Sequence, residues 1–378
     1  MTGDRAFLRH LFDSAVAAAS PAACMPPWLG EKPAGKVVIV GAGKAAAAMA
    51  MIVEQQWGPP LDGLVIVPDG HGVSCDSIEV VEASHPVPDE RGVAATRRIL
   101  QRVSGLSPAD TVVCLLSRGG SSLLCAPAPG ITLEEKRART AELLKSGAAI
   151  HEINAERRRL SAVKGGKLAE ACAPARVVTL IISDVPGNDP SVVASGPTVT
   201  DAVAARDADV RILATSDDAL QAAALRAMEL DVTPYLLGDL AGDARALAEE
   251  HARLAIDIAA GQGPVQPPCV ILSGGETTVR VTGKGRGGRN GEYGLALAIA
   301  LDGHEGIAAI ACDTDGIDGA GDNAGCLVMP DTLARFGGDV REAQAANDSY
   351  GFFAALDDLV FTGPTRTNVN DFRAILVR

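Results

Sequence analysis

Short apolar runs alternate with longer amphipathic stretches between residues 36 and 182. The runs are rich in Val, Ile and Leu, as expected for parallel strands that are buried on both faces of a sheet. We predict strands at 36–40, 63–67, 78–82, 111–116 and 177–182, and helices at 10–19, 45–56, 89–103 and 133–149. This alternation of strand and helix predicts an α/β fold with a doubly wound sheet.

A second section of alternating elements begins near residue 231. We predict strands at 233–237, 269–272, 277–281, 306–311, 358–362 and 372–377, with helices at 242–260 and 292–301. The Pro- and Gly-rich stretch 261–268 is typical of a linker. With 378 residues, the chain is long enough for more than one domain.

Small and polar residues follow several of the predicted strands. The loops are Gly41-Ala-Gly43-Lys44, Ser84-His-Pro, Ser117-Arg-Gly-Gly-Ser-Ser122 and Ser183-Asp-Val-Pro-Gly-Asn-Asp189. In a doubly wound sheet, ligands bind beyond the carboxyl ends of the strands. The recurrence of hydroxyls, a lysine and carboxylates in these loops therefore predicts a pocket for an anionic substrate.

Charge and composition narrow the classes of partner. The net charge is -13 and aromatic residues make up 3% of the chain, which argues against nucleic acid and against anionic membranes. No apolar run reaches the ~18 residues of a transmembrane helix, and the first residues lack the layout of a secretory signal. The 8 cysteines include no C-x-x-C pair. We therefore expect reduced, buried thiols in a cytoplasmic protein.

The segment 272–290 joins a Ser-Gly-Gly-Glu turn to a loop in which glycines alternate with Lys284, Arg286 and Arg289. Glycine permits close approach of the backbone to a ligand, and arginine beside a helix N-terminus favours phosphate. The alternative is a solvated hairpin loop with surface cations. The coincidence of glycines, cations and a helix start favours a phosphate site.

The turn Gly41-Ala-Gly43-Lys44 has two interpretations as a ligand site. Its pattern suits a dinucleotide, but the acid that would bind the ribose is displaced, at Asp69. Lys44 in the first helical turn better suits a highly charged phosphate. A tight strand–helix turn is the structural alternative, and the chain contains no Gly-x-x-x-x-Gly-Lys-Ser/Thr loop.

The segment 117–122 can bind a carboxylate or phosphate through its N–H groups and hydroxyls. A serine nucleophile is a second interpretation, although the Gly-x-Ser-x-Gly elbow is absent, and a capped helix start is the structural one. Downstream, residues 154–167 concentrate cations. Such a run is usually a solvated helix face, but the Lys-Gly-Gly-Lys turn leaves a site role open for Arg157 or Lys164.

Two acidic loops offer metal ligands or a general base. Asp184 and Asp189 flank Val-Pro-Gly-Asn, and Asp313, Asp315 and Asp318 lie in a turn after a predicted strand. Carboxylates beside a phosphate site can hold Mg²⁺ or accept a hydroxyl proton. The second loop is not an EF-hand, because position 324 is alanine. Asp-Gly turn chemistry is the structural alternative.

Taken together, these motifs resemble the glycerate 2-kinase family of the MOFRL type. Besides the loops after the first strands, the matching segments are Leu-Ser-Ala-Val-Lys-Gly-Gly-Lys-Leu-Ala at 160–169, Ala-Ser-Gly-Pro-Thr at 194–198, Leu-Ser-Gly-Gly-Glu-Thr-Thr-Val at 272–279, Gly-Arg-Gly-Gly-Arg-Asn at 285–290, Asp-Thr-Asp-Gly-Ile-Asp-Gly at 313–319 and Gly-Pro-Thr at 363–365. The resemblance runs in order through nearly the whole chain, which makes it specific.

The resemblance implies a kinase that uses ATP and Mg²⁺ to phosphorylate D-glycerate at its 2-hydroxyl, giving 2-phosphoglycerate and ADP. It also implies a Rossmann-like N-terminal domain, 1–232, and a smaller α/β domain of the MOFRL type, 233–378, with the active site in the cleft between them. By motif, the residues proposed as catalytic in the family are Lys44 and Arg289. D-glycerate and ATP are the expected partners, without nucleic acid or membrane, and a homodimer is the candidate assembly.

Phosphoryl transfer depends on positioning and charge neutralisation, which suggests a role for each candidate. Lys44 and Arg289 would neutralise the transferring oxygens. Asp184, with Asp315 as the alternative, would accept the hydroxyl proton, and Asp315 and Asp189 would bind the metal. The predicted substrate- and phosphate-binding residues, with the serines placed at the glycerate carboxylate, are Gly41, Gly43, Ser117, Gly119, Gly120, Ser121, Ser122, Lys164, Gly274, Glu276, Gly287, Gly288 and Asn290.

The chain departs from the family pattern near its C-terminus. The family loop usually reads Gly-Pro-Thr-Gly-Thr-Asn-Val-Asn-Asp, and Arg366 replaces the second glycine here. A glycine in such a loop serves a positive φ or a close backbone approach. The arginine would either add an anion contact or obstruct contacts made by Thr365 and Thr367.

Two other functions stay open at this stage. A hydroxypyruvate reductase that uses NAD(P)H is one, because proteins of this family have also carried that label and because of the Gly-x-Gly turn. A non-catalytic metabolite-binding protein is the other. Binding of ADP without NADH would separate the kinase from the reductase, and turnover would separate it from the binding protein.

Overall fold

The structure is a computed structural model that describes residues 2–145, 150–201 and 208–378. Contacts between Cα atoms divide the chain into two compact units. The N-terminal unit comprises Ser20–Thr215 and Arg366–Asn368, and the C-terminal unit comprises Met1–Ala19, Ser216–Thr365 and Val369–Arg378. Each unit contains its own sheet and its own cluster of buried apolar residues.

A parallel sheet forms the centre of the N-terminal unit. Its described strands are β1 (Val37–Ala42), β2 (Asp62–Pro68), β3 (Glu79–Ala83), β4 (Thr111–Leu116), β5 (Arg176–Ile182) and β6 (Asp209–Ala214), in the order β3-β2-β1-β4-β5-β6. All of these strands pair in parallel. The prediction of a Rossmann-like, doubly wound α/β sheet is confirmed, because this strand order is the one found in dinucleotide-binding folds.

Helices connect these strands and confirm most of the predicted helical segments. The described helices of this unit are Pro21–Cys24, Pro26–Leu29, Ala46–Trp57, Glu90–Val103, Gly120–Leu123, Leu133–Lys145, Ile150–Arg159 and Lys167–Cys172, with 3-10 turns at Pro186–Asn188 and Val193–Ser195. Positions 146–149 of the predicted helix 133–149 lie outside the described residues. β1 and β4 are buried at every position, which explains their continuous apolar sequences.

β6 is a strand that the apolar pattern did not predict. Asp209 and Arg211 interrupt its apolar positions, and the carboxylate of Asp209 pairs with both Arg176 and Arg211. β6 lies at the edge of the sheet, where charged residues are common because only one side of the strand is paired. Its half-buried positions therefore lack the continuous apolar run of a central strand.

A mixed sheet forms the centre of the C-terminal unit. The strands here are β7 (Thr233–Asp239), β8 (Gly242–Asp243), β9 (Cys269–Gly274), β10 (Thr277–Thr278), β11 (Ile307–Asp313), β12 (Gly325–Val328), β13 (Leu359–Val360) and β14 (Asp371–Val377). The main sheet has the order β13-β12-β11-β14-β9-β7, and β8 pairs with β10. β7 and β9 are parallel, whereas β14 runs antiparallel to both β9 and β11. The predicted second α/β section is confirmed.

The opening helix, Thr2–Ala18, groups with the C-terminal unit. Its side chains Leu8, Leu11 and Phe12 are buried, and the ring of Phe12 lies 5.8 Å from that of Phe372 in β14. The predicted N-terminal domain, 1–232, includes this helix and residues 216–232, which the contacts group with the C-terminal unit instead of with the predicted domain 233–378 alone. The remaining helices of this unit are Ser216–Glu229, Ala244–Ala259, Arg289–Leu301, Thr332–Arg335, Val340–Ala345 and Ser349–Ala354.

Three predicted elements in this unit have wrong bounds. The strands predicted at 277–281 and 358–362 are reduced to Thr277–Thr278 and Leu359–Val360, and the helix predicted at 292–301 begins at Arg289. The helix starts earlier because Asp318 accepts hydrogen bonds from the N–H groups of Asn290 and Gly291. A capping residue this distant in sequence is invisible to a local pattern. Within the described ranges, the structure contains no helix long and apolar enough to cross a membrane.

A buried histidine couples the C-terminal unit to pH. His251 lies in the helix Ala244–Ala259, with its Nδ1 atom 2.7 Å from Tyr293 Oη. Burial, with a smaller contribution from the charge of Arg373, lowers the pKa of His251 from 6.5 to about 4. The unfolded chain therefore binds a proton below about pH 6.5 that the folded chain excludes until pH falls near 4.

We predict that the C-terminal unit loses stability as pH falls from about 6.5 to about 4, by up to about 3 kcal/mol from His251 alone. His251→Gln, which keeps a polar partner for Tyr293, should flatten this part of the pH profile. Urea unfolding at a series of pH values, followed by tyrosine near-UV dichroism, measures the effect. An identical pH dependence in the wild type and the variant would contradict the prediction.

Candidate active site

The glycines of the predicted phosphate turn are required by packing within the N-terminal unit. A Cβ atom on Gly41 would lie 2.2 Å from the carbonyl oxygen of Leu115, and one on Gly43 would lie 2.2 Å from Ser117 Oγ. Gly43 also has a φ of 138°, which disfavours other residues. These glycines thus allow β1 to approach β4 and the loop after it.

The backbone donors of this turn are already bonded within the protein. The N–H groups of Gly43 and Lys44 donate to the carbonyls of Ile66 and Arg118, at 3.0 and 2.8 Å. The N–H of Ala45 donates to Ser117 Oγ at 3.0 Å. Ser117 is fully buried, so its hydroxyl acts as a cap for the helix Ala46–Trp57.

The remaining serines of the segment 117–122 belong to a polar cluster. Ser121 Oγ lies 2.7 Å from Ser195 Oγ. The fully buried Lys164 donates from Nζ to the carbonyls of Ser121 and Ala194, at 2.7 and 3.1 Å, and approaches Ser121 Oγ at 3.3 Å. Burial, with the nearby charge of Lys136, lowers the pKa of Lys164 well below its ordinary value.

A histidine stands beside the neighbouring serine. His85 Nδ1 lies 2.7 Å from Ser122 Oγ, and Ser122 also donates to the carbonyl of Gly119 at 3.2 Å. His85 belongs to the Ser-His-Pro loop after β3. The sequence predicted that loop as part of the pocket but could not pair its histidine with a particular serine.

The two carboxylates predicted after β5 have different surroundings. Asp184 Oδ2 lies 3.3 Å from Arg118 Nη1, and the carbonyl of Arg118 binds the N–H of Lys44. Two predicted catalytic residues, Lys44 and Asp184, thus contact the same arginine. Asp189 Oδ1 accepts the N–H of Ser191 at 2.9 Å, which is ordinary turn chemistry.

Arg289 is the centre of a carboxylate cluster in the C-terminal unit. Its Nε donates to Asp371 at 2.7 Å, its Nη2 to Asp313 at 2.6 Å and its Nη1 to Glu276 at 3.1 Å. Burial alone would lower the pKa of Arg289, but the attraction of Asp371, Asp313 and Glu276 is larger and raises it. The guanidinium is therefore permanently charged and held in a fixed orientation.

The N-terminus of the helix that begins at Arg289 is capped by a carboxylate from another segment of the chain. Asp318 accepts the N–H groups of Asn290 and Gly291 at 2.9 and 2.8 Å, and a Cβ atom on Gly288 would lie 2.3 Å from Asp318 Oδ1. Burial raises the pKa of Asp318 to about 6, although these two N–H groups act in the opposite direction. The anion that the sequence predicts at this helix start is thus supplied by the protein itself.

The other predicted residues of this unit lie around the same cluster. Asn290 Nδ2 donates to Asp371 at 2.8 Å, and the carbonyl of Gly274 accepts from Arg373 at 2.7 Å. A Cβ atom on Gly287 would lie 2.2 Å from Ser349 Oγ. Arg286, by contrast, lies at the surface, where it pairs with Asp322 at 2.9 Å and stacks on the ring of Tyr350.

Magnesium can be accommodated by the chemistry of the predicted ligands. Mg²⁺ is usually held by one or two carboxylates together with substrate phosphates and water. Asp315 is a buried carboxylate that accepts the N–H of Ile317 at 2.8 Å. The described residues contain no group of three or more His, Cys, Asp or Glu side chains suited to a metal. A site that relies on few protein ligands is therefore the one that these residues fit.

Arg366, the departure from the family loop, has a φ of 60°. This is the left-handed region that glycine favours, so the position has the backbone conformation expected of the glycine that it replaces. Thr365 is held by hydrogen bonds from its N–H to the carbonyl of Asp315 and from Oγ1 to the carbonyl of Thr314, at 3.0 and 2.6 Å. Arg366 thus adopts a backbone conformation that glycine favours, within a loop that is anchored at Thr365.

Solved and curated proteins resemble the chain over almost its whole length. A protein of Agrobacterium vitis named putative hydroxypyruvate reductase is 48% identical, with 99% of this chain and 94% of the relative covered. The D-glycerate 2-kinase of Thermotoga maritima is 39% identical, with 89% of each chain covered. A crystal structure of glycerate kinase from Thermotoga maritima has a TM-score of 0.92 at 34% identity, with both chains fully covered.

Family matches agree with these relatives. Residues 7–229 match the family described as a domain of unknown function (DUF4147), and residues 269–371 match the MOFRL family. The chain belongs to the glycerate 2-kinase family of the MOFRL type. Membership of this family makes the protein a kinase and confirms the resemblance inferred from the motifs.

In this glycerate 2-kinase family member, the structure gathers the predicted residues into two groups. Lys44 and Asp184 share contacts with Arg118, and the serine cluster adjoins Lys164. The sequence did not predict that Asp313 and Asp371 form ion pairs with the guanidinium of Arg289. Asp313 lies within a matched segment and Asp371 ends the family loop near the C-terminus, but pairing across the unit is not encoded in local spacing.

We predict that Arg289→Ala lowers the unfolding free energy of the C-terminal unit by about 3 kcal/mol or more, because it removes a guanidinium that pairs with the buried carboxylates of Asp313 and Asp371. Arg286→Ala in the same loop is the matched control. Its pair with Asp322 is largely exposed and should contribute about 1 kcal/mol or less.

Chemical unfolding followed by tyrosine near-UV dichroism measures this difference. Tyr235, Tyr293 and Tyr350 all lie in the C-terminal unit, whereas Trp28 and Trp57 lie in the N-terminal unit. Tryptophan fluorescence should therefore report little change for either variant. Equal losses for Arg289→Ala and Arg286→Ala would show that the carboxylate cluster does not depend on Arg289.

Proposed function

We propose that this kinase transfers the γ-phosphoryl group of ATP to the 2-hydroxyl of D-glycerate, giving 2-phosphoglycerate and ADP, with Mg²⁺ as cofactor. Relatives named D-glycerate 2-kinase and glycerate kinase support the acceptor. The chemistry requires charge neutralisation on phosphate oxygens and a base for the hydroxyl proton. Both kinds of group are present among the residues of the candidate site.

The observation that carries this proposal is the bonding of the turn after β1. The N–H groups of Gly43, Lys44 and Ala45 donate to protein acceptors, so they are not available to the pyrophosphate of a dinucleotide. The ammonium of Lys44 can contact a phosphate without these backbone donors. The turn therefore suits a kinase better than a nicotinamide-dependent enzyme.

In the N-terminal unit, Lys44 would neutralise charge on the transferring phosphoryl group. Asp184 would accept the proton of the 2-hydroxyl, and its contact with Arg118 would hold the carboxylate in place. Ser121, Ser122 and Lys164 would bind the glycerate. Gly41, Gly43 and Ser117 contribute to this arrangement through packing and capping, which keeps Lys44 at the end of β1.

In the C-terminal unit, Arg289 would neutralise further charge on the phosphoryl group. The carboxylates around it outnumber the guanidinium, which favours a divalent cation in the same region. Asp315 would hold Mg²⁺ in this unit, and Asp189, the other predicted ligand, belongs to the N-terminal unit. When bound, Mg²⁺ would supply positive charge that offsets the negative charge developing on the phosphate oxygens.

A hydroxypyruvate reductase is the second candidate. The name of the Agrobacterium vitis relative favours it, as does the strand order of the N-terminal sheet. Against it, Asp69, the candidate for a ribose contact, binds Arg91 through both carboxylate oxygens, at 2.7 and 2.9 Å. The occupied donors of the turn after β1 argue in the same direction.

A paired assay on the purified protein separates these functions. One reaction contains ATP, Mg²⁺ and D-glycerate, and the position of the phosphate in the product is determined by NMR. The other contains NADH or NADPH with hydroxypyruvate and is followed by nicotinamide absorbance. We expect 2-phosphoglycerate and no nicotinamide oxidation; the reverse result would establish the reductase, and no turnover in either would favour a binding protein.

We predict that Lys44→Met lowers kcat by several orders of magnitude, on the scale of losing a main electrostatic group of the transition state, and leaves the fold intact. Lys36→Met is the matched control, because Lys36 adjoins the opposite end of β1 and pairs at the surface with Asp62. The control should retain nearly full activity. Near-normal turnover of Lys44→Met would remove the proposed role.

A further inference from the structure

A cavity of about 460 Å³ lies in the N-terminal unit beside Ser121 and Ser122. Its walls include Lys136, Arg157 and Lys164. Lys136 is absent from the motif-based predictions, and Arg157 is one of the two cations for which the sequence left a role open. The cavity thus extends the candidate site to side chains that no motif assigns.

These cations have no acidic partner among the described residues. Lys136 is 4% exposed, and its Nζ atom makes one long hydrogen bond, 3.3 Å to the carbonyl of Leu160. The side chain of Arg157 makes no hydrogen bond or ion pair with any residue that the structure describes. Lys164 is surrounded by neutral oxygens of Ser121 and Ala194.

This arrangement of a buried lysine and a half-buried arginine is unfavourable in the protein alone. Buried ammonium and guanidinium groups are normally paired with carboxylates, because desolvation without a counter-charge is unfavourable. Burial accordingly lowers the pKa values of both Lys136 and Arg157. In a chain of net charge -13, acidic partners are abundant elsewhere, so their absence here points to an anion supplied from solution.

We propose that Lys136 and Arg157, together with Ser121, form the subsite that binds the carboxylate of the acceptor, a small 2-hydroxycarboxylate. This assignment rests on the kinase function proposed above and names the residues that would select its substrate. The planar guanidinium of Arg157 matches a carboxylate in a bidentate manner. Lys136 adds a second positive charge to the wall of the cavity.

The cavity suits a carboxylate better than the phosphates of a nucleotide. ATP reacts as a magnesium complex, and a polyphosphate site needs acids or hydroxyls that share the metal. No carboxylate lines the cavity among the described residues. The rest of the wall is largely aliphatic, including Val87, Ala138 and Ala141, and contains no aromatic ring on which a base could stack.

Binding of D-glycerate by calorimetry, with steady-state kinetics for both substrates, tests this subsite. We compare Arg157→Gln and Arg157→Lys with Arg159→Gln, a control two residues along the same helix whose side chain is exposed and pairs with Glu156. Arg157→Gln should weaken glycerate binding and raise its KM by about tenfold or more, as for a lost charged hydrogen bond. The KM for ATP should stay within about twofold of the wild-type value in Arg157→Gln and Arg157→Lys.

Arg157→Lys should recover part of the affinity, because the charge remains but the bidentate geometry is lost. Unchanged glycerate affinity in Arg157→Gln would overturn the assignment. An increase in the KM for ATP instead of that for glycerate would also overturn it and place the nucleotide phosphates in the cavity. An equal loss in Arg159→Gln would indicate a general effect of the helix charge and would contradict a specific subsite.

Lys136→Met distinguishes a role in binding glycerate from a purely structural role of the lysine. The change removes an uncompensated buried charge and keeps the side-chain length, so the thermal midpoint should stay the same or rise while glycerate affinity falls. The carbonyl of Leu160 retains a bond from the N–H of Ala128. A lower thermal midpoint with unchanged glycerate affinity would assign Lys136 a structural role.

The design separates failure of this subsite from failure of the proposed function. A wild-type protein that phosphorylates D-glycerate while Arg157→Gln and Lys136→Met behave like it would overturn the subsite alone. A wild-type protein that neither binds nor phosphorylates D-glycerate would overturn both. Tryptophan fluorescence, which reports the N-terminal unit, confirms that each variant is folded before it is assayed.

Discussion

Compensation of buried charge is the constraint on which both groups of candidate residues depend. Around Arg289, the carboxylates of Glu276, Asp313 and Asp371 exceed the cation that they surround. Around Lys136 and Arg157, cations face one another with no acid among the described residues. The first arrangement is negative overall and is suited to a metal–phosphate complex, whereas the second is positive and is suited to an organic anion. The two units thus carry unbalanced charge of opposite sign, and the proposed function assigns the metal–phosphate complex to the negative group and the glycerate carboxylate to the positive one.

The same requirement applies to the backbone at helix starts. Helix N-termini are common anion sites because their N–H groups lack partners within the helix. Here Ser117 Oγ binds an N–H at the start of one helix, and Asp318 binds two at the start of another. The glycine-rich turns that suggest phosphate cradles are therefore closed by protein acceptors. At these turns, side-chain cations, and not backbone N–H groups, are therefore the candidate contacts for a substrate anion.

Much of the fold was predictable because its central strands are buried on both faces and therefore read as continuous apolar runs. β1, β2, β4 and β5 were found in this way, whereas β6 was missed because an edge strand tolerates Asp209 and Arg211. For the site, the motifs located Lys44, Asp184 and Arg289 but not what these residues contact. The pairing of Arg289 with Asp371 spans 82 positions along the chain, and Lys136 lies in a helix without any motif. Such neighbours are set by tertiary packing, which local spacing does not encode.

The grouping of the opening helix with the C-terminal unit has a consequence for how the chain is made. The helix Thr2–Ala18 is synthesised before residues 20–215, whereas the elements against which it packs, the helix Ser216–Glu229 and the strands β11 and β14, are synthesised after them. Nearly all of the N-terminal unit, residues 20–215, is translated in between. Domains generally fold as units during synthesis, so this inserted unit is complete while the apolar face of the first helix still waits for its partner. The C-terminal unit can therefore form only after the inserted unit has been synthesised, although its first helix precedes that unit in the chain.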